Sequence, residues 1–554
     1  MTQHIAMLIE ASGIQEYIFG SNELIQNIGA SEVVTQATTD WLFDETNGLL
    51  PRPHNVQRVK QRGAPSRWHL DDRGLADGLE AEVVYAGGGN ALLLFGAEET
   101  ARKLAYDLTR KALQDAPGLR LELAWQPYRV GELAATVNSL RDRIAEQKRA
   151  PQRSAPLLGL GVTAACSFTG APAVGRDREG RYISAQVRAK QQAGASDGPG
   201  NSRLLEYLGD FSDINFGFVY DFNRLGERDE FSYMAVVHAD GNRMGARIQQ
   251  YVDQFAGDDR AYVRAQREFS VKVQDAAHAA LVSTVGVLVD PNNLVHDPDE
   301  RGRWTHKIGK LDQKKGVIPV WLDGQVERLP FRPIVFGGDD VTFVCEGRLG
   351  LPLAAHYLSR LAEERLPDGD PLYARAGVAI VKTHYPFART YELAESLCDS
   401  AKEFIKETDG DKRRVSALDW HFGVTGLVRP LKQLREREYR TRDGWLHMRP
   451  VLLTPVNTSE WRSWEVFSDL LGAFATHRDW RGRRNKVKAL REALRNGPEA
   501  TELFLRNLAD AVELPDSSGL VSVPQARLRG WHGERCIYFD AVEALDFYVP
   551  LEGV

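Results

Sequence analysis

Short apolar runs alternate with helical periodicity along most of the chain. Residues 4–11 (HIAMLIEA) are typical of a buried strand, and a helical pattern begins at Ile14. Residues 81–95 (AEVVYAGGGNALLLF) contain two apolar runs around Gly87-Gly88-Gly89-Asn90, which predicts a β-hairpin with a glycine turn. Helical patterns dominate after about Trp420. The chain is therefore predicted to be of the α+β class and to end in a helical domain.

Two pairs of segments share a pattern and follow the same order. Residues 234–248 (MAVVHADGNRMGARI) repeat the pattern of AMLIEASGIQEYIF near the N-terminus, and residues 374–397 echo residues 157–174. A duplicated strand-helix-strand-strand unit of the ferredoxin-like kind would give this order. We therefore expect two ferredoxin-like domains.

Two further segments have the composition of connections. Residues 176–203 are rich in Arg, Gly, Gln and Ser, which predicts a linker or mobile loop, and residues 290–330 are predicted to be an insertion. The expected divisions are residues 1–175 for the first domain, 176–230 for the linker region, 231–425 for the second domain and 426–554 for the helical domain.

A second glycine hairpin carries paired acids. Gly337-Gly338-Asp339-Asp340 lies between the β-branched runs 334–336 and 341–344. Side chains alternate across a strand, so Asp339 and Asp340 should point to opposite faces at one end of the sheet. The glycines would let the phosphates of a ligand approach the backbone closely. The same residues also fit a tight turn with two solvated acids.

Asp240 is the other candidate acid. It ends the apolar run 234–237 and is followed at once by Gly241 and a helical segment. If this strand neighbours the hairpin, Asp240 and Asp339 converge, which suits Mg²⁺ because this ion takes one or two carboxylates plus water and phosphate oxygens. Two such ions about 4 Å apart could clamp the attacking and leaving oxygens of an in-line displacement.

Basic and histidine side chains near these acids have competing interpretations. Lys382 follows the run 377–381, and Pro386 suits the first turn of a helix that would reach about Ile405, with Lys402 in its last turn. A lysine beside a triphosphate would neutralise charge, although either one could be a surface lysine. His238 is expected to be a core histidine. The basic residues between positions 478 and 491 could form a stripe on one side of a helix, but they are more typical of a solvated face than of a surface that binds RNA.

Composition narrows the class of protein. The net charge of −6 over 554 residues argues against a protein that coats nucleic acid, so any polyanion site must be a local patch. Four cysteines lie far apart without zinc-site spacing, which indicates reduced core residues of a cytosolic protein. The first residues show no signal-peptide pattern, and no apolar window is long enough to span a membrane. We expect a cytoplasmic protein without a membrane partner.

The ordered set of motifs resembles the large subunit of type III CRISPR effector complexes, the two-palm polymerase and cyclase family. The residues that carry the resemblance are AMLIEASGIQEYIFGSNELIQNIGAS, YAGGGN, HADGNRMG, FGGDD, GVAIVKTHYPF and HMRP, in that order over nearly the whole chain. The FGGDD hairpin alone is also shared with GGDEF-type diguanylate cyclases. The order of the whole set is therefore the specific part of the resemblance.

The resemblance implies a degenerate first palm, a catalytic second palm and an enzyme that joins ATP through 3′–5′ linkages into cyclic oligoadenylates for antiviral defence. Asp240, Asp339 and Asp340 would be the catalytic, metal-binding acids, with Mg²⁺ or Mn²⁺ as cofactor. The predicted nucleotide-binding residues are Gly241, Gly337, Gly338, Lys382 and Lys402, with Gly88 and Gly89 of the first hairpin on the acceptor ATP. RNA and other CRISPR effector subunits are the implied partners.

Three departures from the family pattern qualify this expectation. The first palm begins at residue 1 without the nuclease domain of many relatives, so DNA cleavage is not expected. Only Cys166 remains where relatives often hold a zinc cluster, and Asn242 stands where members often show a further acid, which weakens a second metal site. Two alternatives stay open: a catalytically silent palm scaffold that binds nucleotide or assembles defence subunits, and a diguanylate-type cyclase that uses GTP.

Overall fold

The computed structural model describes most of the chain, namely residues 3–59, 67–150, 161–209, 216–226, 232–298, 304–309, 317–410, 414–423, 430–454, 460–477, 479–508 and 512–554. The strands in these ranges are β1 (Gln3–Ser12), β2 (Val56–Val59), β3 (Arg67–Leu70), β4 (Ala81–Gly87), β5 (Asn90–Phe95), β6 (Arg120–Arg129), β7 (Gly175–Arg176), β8 (Tyr182–Ile183), β9 (Phe216–Phe218), β10 (Tyr233–Gly241), β11 (Leu294–Pro298), β12 (Trp304–Ile308), β13 (Ile318–Pro319), β14 (Trp321–Asp323), β15 (Val326–Leu329), β16 (Phe331–Val335), β17 (Val341–Glu346), β18 (Ala374–Lys382), β19 (Ala417–Gly423), β20 (Val451–Leu452), β21 (Trp531–His532) and β22 (Arg535–Cys536). The α-helices are α1 (Ile14–Phe19), α2 (Leu24–Thr38), α3 (Asp40–Phe43), α4 (Glu98–Asp115), α5 (Leu133–Arg149), α6 (Ala185–Gly194), α7 (Pro199–Leu208), α8 (Met244–Val252), α9 (Asp259–Val289), α10 (Gly350–Leu361), α11 (Phe387–Asp409), α12 (Leu431–Tyr439), α13 (Trp464–Thr476), α14 (Arg484–Arg495), α15 (Pro498–Arg506), α16 (Ala526–Arg529) and α17 (Phe539–Ala544).

Two main sheets repeat one strand arrangement. The first has the order β4-β5-β1-β6, and the second has the order β16-β17-β10-β18 extended by β19 and β20. In both sheets the strand that comes first in sequence, β1 or β10, lies between the hairpin and a third antiparallel strand. The α+β class and the two glycine hairpins predicted from the sequence are confirmed.

In the first sheet, the strand that pairs with β1 on the side away from the hairpin is not the segment that the sequence predicted. Residues 157–174 were expected to match residues 374–397, but the strand in this position is β6, which pairs with β1 along its whole length. In the described part of 157–174 the only ladder contact is an isolated bridge between Ala165 and Pro172. β6 is an edge strand with mostly half-buried side chains, so its apolar pattern is weaker than that of residues 157–174.

Residues 176–203 do not form a simple linker. They contain α6 and the first half of α7, and α6 packs against α2. The ammonium group of the buried Lys190 of α6 donates a hydrogen bond to the carbonyl oxygen of Tyr17 at 2.6 Å. The Gly-, Gln- and Arg-rich composition was misleading because these helices are short and half-exposed. In the predicted insertion 290–330, the described residues form two small three-stranded sheets, β11-β12-β13 and β14-β15-β9.

Helices of the first unit, built on the sheet of β1, and of the second unit, built on the sheet of β10, pack against the other unit, and one buried apolar cluster contains residues of both sheets. α2, which follows β1, contacts β16 of the second sheet, and α9, which follows β10 through α8, contacts β4 of the first. Phe19 of α1 stacks on Tyr391 of α11 with ring centroids 3.7 Å apart. Asp259 at the start of α9 accepts a hydrogen bond from the Leu133 amide at the start of α5. Each unit therefore covers part of the other.

Most of the regular elements described in the C-terminal region are helices. α12 to α17 follow the second sheet, with breaks between α13 and α14 and at Gly497 before α15. The exceptions include β20, which extends the second sheet, and the short pair β21 and β22. All four cysteines are buried and unpaired, as expected for reduced core residues. In the described ranges, no helix has both the length and the apolar character needed to cross a membrane.

Candidate functional site

The acids predicted to converge do meet at the end of the second sheet. The backbone amide of Gly241 donates to the carbonyl oxygen of Asp339 at 3.1 Å, which places Asp240 beside the hairpin turn. Gly241 permits this approach, because a Cβ atom there would lie 2.9 Å from the Cβ atom of Asp339. Gly337 has a φ of 104°, a conformation that side-chain-bearing residues rarely adopt. The sequence therefore located the turn and its partner strand correctly.

Asp339 and Asp340 both lie in the turn between β16 and β17, and the charges of Asp240 and Arg375 act on both of them. The Oδ1 atom of Asp340 lies 3.4 Å from Nδ1 of His238, while the side chain as a whole is about half exposed. This oxygen is itself buried and has no hydrogen-bond partner. His238 is buried, as predicted, and its Nδ1 also lies 3.1 Å from Oγ1 of Thr342. Asp340 thus presents one buried, unsatisfied oxygen at the site.

Asp240 is bound by an arginine that the sequence analysis missed. Arg375 of β18 lies opposite Asp240 in the strand register and forms an ion pair with its carboxylate. The guanidinium also donates to the carbonyl oxygen of Gly241 at 2.9 Å. A signal was present, since Arg375 is the charged residue inside the otherwise apolar run 374–381, but its partner could be known only from the register.

Burial and mutual repulsion raise the pKa values of both hairpin acids. The pKa of Asp339 is raised to about 7 by burial, then by the charges of Asp240 and Asp340, while Arg375 acts in the opposite direction. The pKa of Asp340 is also raised to about 7, by burial, which the structure shows at its Oδ1 atom, and by the charge of Asp240. The carboxylates therefore resist ionising together unless a cation neutralises them.

The donor set fits a hard divalent cation. Carboxylate oxygens are the ligands that Mg²⁺ prefers, and the unsatisfied Oδ1 of Asp340 has a lone pair available for one. Over the described ranges, no group of three or more His, Cys, Asp or Glu side chains is already arranged to hold a metal. Asp240 is engaged by Arg375, so its carboxylate does not form a ready-made three-acid cluster with Asp339 and Asp340. Asp339 and Asp340 are thus the residues best placed to hold an ion.

The first hairpin has an acid at the corresponding place, which the sequence analysis did not recognise. Glu10 of β1 lies opposite Asn90 at the hairpin end and is paired with Lys148 of α5. Gly88 is exposed, whereas Gly89 is buried against the side chain of Ile14. The first sheet therefore does not lack an acid at the strand end, although its turn lacks the paired aspartates.

The two predicted lysines lie at opposite ends of the second sheet. Lys382 pairs with Tyr233 at the start of β10, seven residues from the position of Arg375, or about 23 Å along the strand. It is not brought together with the acids. Cys398 contacts the carbonyl oxygen of Arg375, and Lys402 lies one helical turn beyond it, at the end where the acids lie. α11 continues to Asp409, so Lys402 is not in its last turn as expected.

A cavity of about 220 Å³ borders the loop that follows Asp240. Asn242 and Arg243 line it, and Arg243 has a φ of 57°, which is uncommon for a residue with a side chain. Arg247, on the same wall, is held by both carboxylate oxygens of Asp368. Part of the positive charge of this cavity is therefore already neutralised.

The basic residues of the C-terminal region have the surroundings of a solvated face. Arg481, Arg483 and Lys488 are exposed, and Arg491 pairs with Glu543. Arg478 lies outside the described residues.

The whole chain has the fold of Csm1, the large subunit of type III CRISPR complexes. A crystal structure of the Csm1–Csm4 cassette in complex with pppApApA is similar with a TM-score of 0.51 and 14% identity, over 98% of this chain and 69% of that chain. The cassette in complex with cA4 gives a TM-score of 0.49 and 14% identity, over 99% of this chain and 70% of that chain. Csm1 of T. onnurineus gives a TM-score of 0.49 and 14% identity, over 99% and 69%. Comparison of the sequence with protein-family models and with curated proteins found no match.

At this level of identity the likeness concerns the fold. It confirms, for the fold, the resemblance inferred from the ordered motifs. The activity and the residues that perform it are inferences from the site.

Proposed function

We propose that this chain is a metal-dependent nucleotidyltransferase that joins ATP molecules through 3′–5′ linkages into cyclic oligoadenylates in CRISPR-type antiviral defence. The observation that carries the proposal is the meeting of Asp240 with Asp339 and Asp340 at the end of the second sheet. It is supported by the shared fold with Csm1, one structure of which holds the linear oligoadenylate pppApApA.

In this proposal the two main sheets belong to two palm domains. The first palm, within residues 1–175, is degenerate; the second, within residues 231–425, is catalytic; and residues 426–554 form the helical domain. α6 and α7 of the region 176–230 pack on α2, so we attach them to the first palm. Each proposed palm carries one glycine hairpin, which suits a reaction between two nucleotides.

The residues of the site have separate tasks in the proposed reaction. Asp240, Asp339 and Asp340 would hold Mg²⁺ or Mn²⁺, and the sequence-based hypothesis is that two such ions bind. The metal, when bound, supplies positive charge to the phosphate oxygens and acidifies the attacking hydroxyl. Gly338 has open space where a side chain would be, so the turn leaves its backbone accessible to phosphate. Lys402 contributes a positive charge at the same end of the sheet.

The acceptor nucleotide is proposed to lie at the first hairpin. Gly88 is exposed and has open space around its α-carbon, which leaves room for a ligand. Gly89 is buried and shapes the turn from within. Nucleotide, RNA and other CRISPR effector subunits remain the proposed partners.

A silent scaffold is the second candidate. The ion pair between Asp240 and Arg375 favours it, because an acid that is already neutralised needs no metal. In that case the palms would bind nucleotide or assemble defence subunits without turnover.

Incubation of the purified chain with labelled ATP and Mn²⁺, with and without candidate RNA activators, tests the proposal. We expect oligoadenylate products from the wild type and none from the Asp339→Ala/Asp340→Ala variant, because the remaining acid cannot hold the ion alone. Glu363→Ala, which removes an exposed acid paired with Arg360, is the matched control and should keep activity. A parallel incubation with GTP examines the diguanylate alternative. ATP binding without product, unchanged in the double variant, would establish the scaffold instead.

A further inference from the structure

The guanidinium of Arg375 contacts three successive residues at the end of β10. One of its terminal nitrogens forms the ion pair with the carboxylate of Asp240, and the other lies 2.9 Å from the carbonyl oxygen of Gly241 and 3.4 Å from Oδ1 of Asn242. Arg375 is 6% exposed, so its charge is fixed in place and poorly screened by water. A permanent positive charge therefore stands beside the acids of the hairpin.

The strand arrangement does not require this arginine. In the first sheet, the residue opposite Glu10 on the third strand is Glu122, which accepts a hydrogen bond from Ser12. The cation that pairs with Glu10 comes instead from α5, as Lys148. The same register position thus carries an acid in one sheet and a base in the other. Arg375 belongs to the chemistry of the second site.

The side chain of Asn242 contacts Val415 and Arg375. Its side-chain amide donates to the carbonyl oxygen of Val415 at 2.8 Å, and the residue is 3% exposed. Its Oδ1 atom lies 3.4 Å from the guanidinium of Arg375, and as an amide oxygen it brings no negative charge to Asp240. The guanidinium of Arg375 is therefore held by Asp240 and by the two residues that follow it.

We propose that Arg375 takes the place of one of two divalent cations, so that the site binds a single Mg²⁺ or Mn²⁺ ion through Asp339 and Asp340. The inference rests on the proposed function of the same acids and replaces the two-ion site of that proposal with a one-ion site. Arg375 is a positioning residue: it holds Asp240 and neutralises its charge, whereas the divalent ion meets the hairpin acids. A guanidinium cannot be removed by chelators, so its single positive charge would remain beside Asp240 in EDTA after the divalent ion has been removed.

Counting bound Mn²⁺ by electron paramagnetic resonance at about pH 8 tests this inference without relying on activity. We expect one ion per wild-type chain and none in Asp339→Asn/Asp340→Asn. Arg375→Gln should bind a second ion, or bind the first on the order of tenfold or more tightly, because it releases Asp240 and removes a nearby positive charge. Arg375→Gln/Asp240→Asn should lose the second ion, and Arg375→Lys should resemble the wild type.

Arg360→Gln, which removes an exposed arginine on α10, is the matched control and should leave the Mn²⁺ count unchanged. Two ions in the wild type would overturn the inference while leaving the proposed function intact, and this result needs no variant to fold. Unchanged Mn²⁺ affinity and count in a folded Arg375→Gln variant would also overturn it. Absence of bound Mn²⁺ from the wild type would overturn both the inference and the metal-dependent function.

Discussion

Asp339 and Asp340 are adjacent acids whose environment disfavours their charged forms. Both have a pKa raised to about 7, with burial as the largest cause and the charge of Asp240 next. The positive charge of Arg375 lowers the pKa of both acids, but this arginine is already bound to Asp240. A divalent ion would lower these pKa values and compete with protons for the same oxygens.

The first prediction concerns pH. The folded chain retains protons on Asp339 and Asp340 that the unfolded chain has released above about pH 4, so without metal its stability should fall as pH rises from about 4 to 7. Asp339→Asn/Asp340→Asn removes these titrating groups and should flatten this part of the profile. The measurement is the free energy of unfolding against pH in EDTA. Parallel profiles for variant and wild type would contradict the prediction.

At the scale of elements, the site depends on how α11 lies on β18. Gly377, two residues after Arg375, is covered by α11 so closely that a Cβ atom would lie 2.0 Å from the carbonyl oxygen of Ala394 and 2.5 Å from the amide nitrogen of Cys398. Both contacts are backbone atoms, which cannot rotate away. The glycine thus fixes the distance between the helix and the strand that carries Arg375.

The second prediction is that Gly377→Ala destabilises the chain by about 1–3 kcal/mol, because α11 must move away from the sheet. Chemical denaturation would measure this loss. Gly286→Ala is the control: Gly286 lies in α9 with no atom within 4 Å of an added Cβ, so the change should be neutral or stabilising by up to about 1 kcal/mol. Equal effects of the two substitutions would show that α11 is not held in this way.

The elements that sequence predicted well are those with strong local signals. The hairpin at Gly337 combines β-branched runs with a turn that needs a positive φ, so its position was evident. β6 was missed because it is a half-exposed edge strand. Lys382 was placed at the wrong end of the sheet because an apolar pattern does not show whether two neighbouring strands run parallel or antiparallel. The pairing of Asp240 with Arg375 depends on register, which is a property of the folded sheet.

At the scale of the whole molecule, the helices that pack against the other unit make the two units interdependent. Glu82 of β4 is 2% exposed and pairs with Arg267 of α9 at 3.0 Å and with Arg260 of the same helix. Arg267 also donates to the carbonyl oxygen of Val83 at 2.7 Å. An acid in the first unit therefore holds a helix that also supports the second sheet.

The third prediction is that Glu82→Ala destabilises the folded chain by about 3 kcal/mol, because Arg267 would remain buried without its counter-charge. The denaturation midpoint, followed by signals from both units, is the measurement. Glu363→Ala, an exposed acid paired only at the surface, should change stability by less than about 1 kcal/mol. Loss of the first unit alone, with the second unit unaffected, would contradict the interdependence described here.

The most direct test of the central claim is a crystal structure of the chain with Mn²⁺ and a non-hydrolysable ATP analogue, with the ion located by anomalous scattering. The account predicts an ion about 2.0–2.6 Å from carboxylate oxygens of Asp339 and Asp340, in contact with phosphate, while Arg375 still binds Asp240. A nucleotide bound elsewhere, or an ordered hairpin with no ion beside these acids, would contradict it.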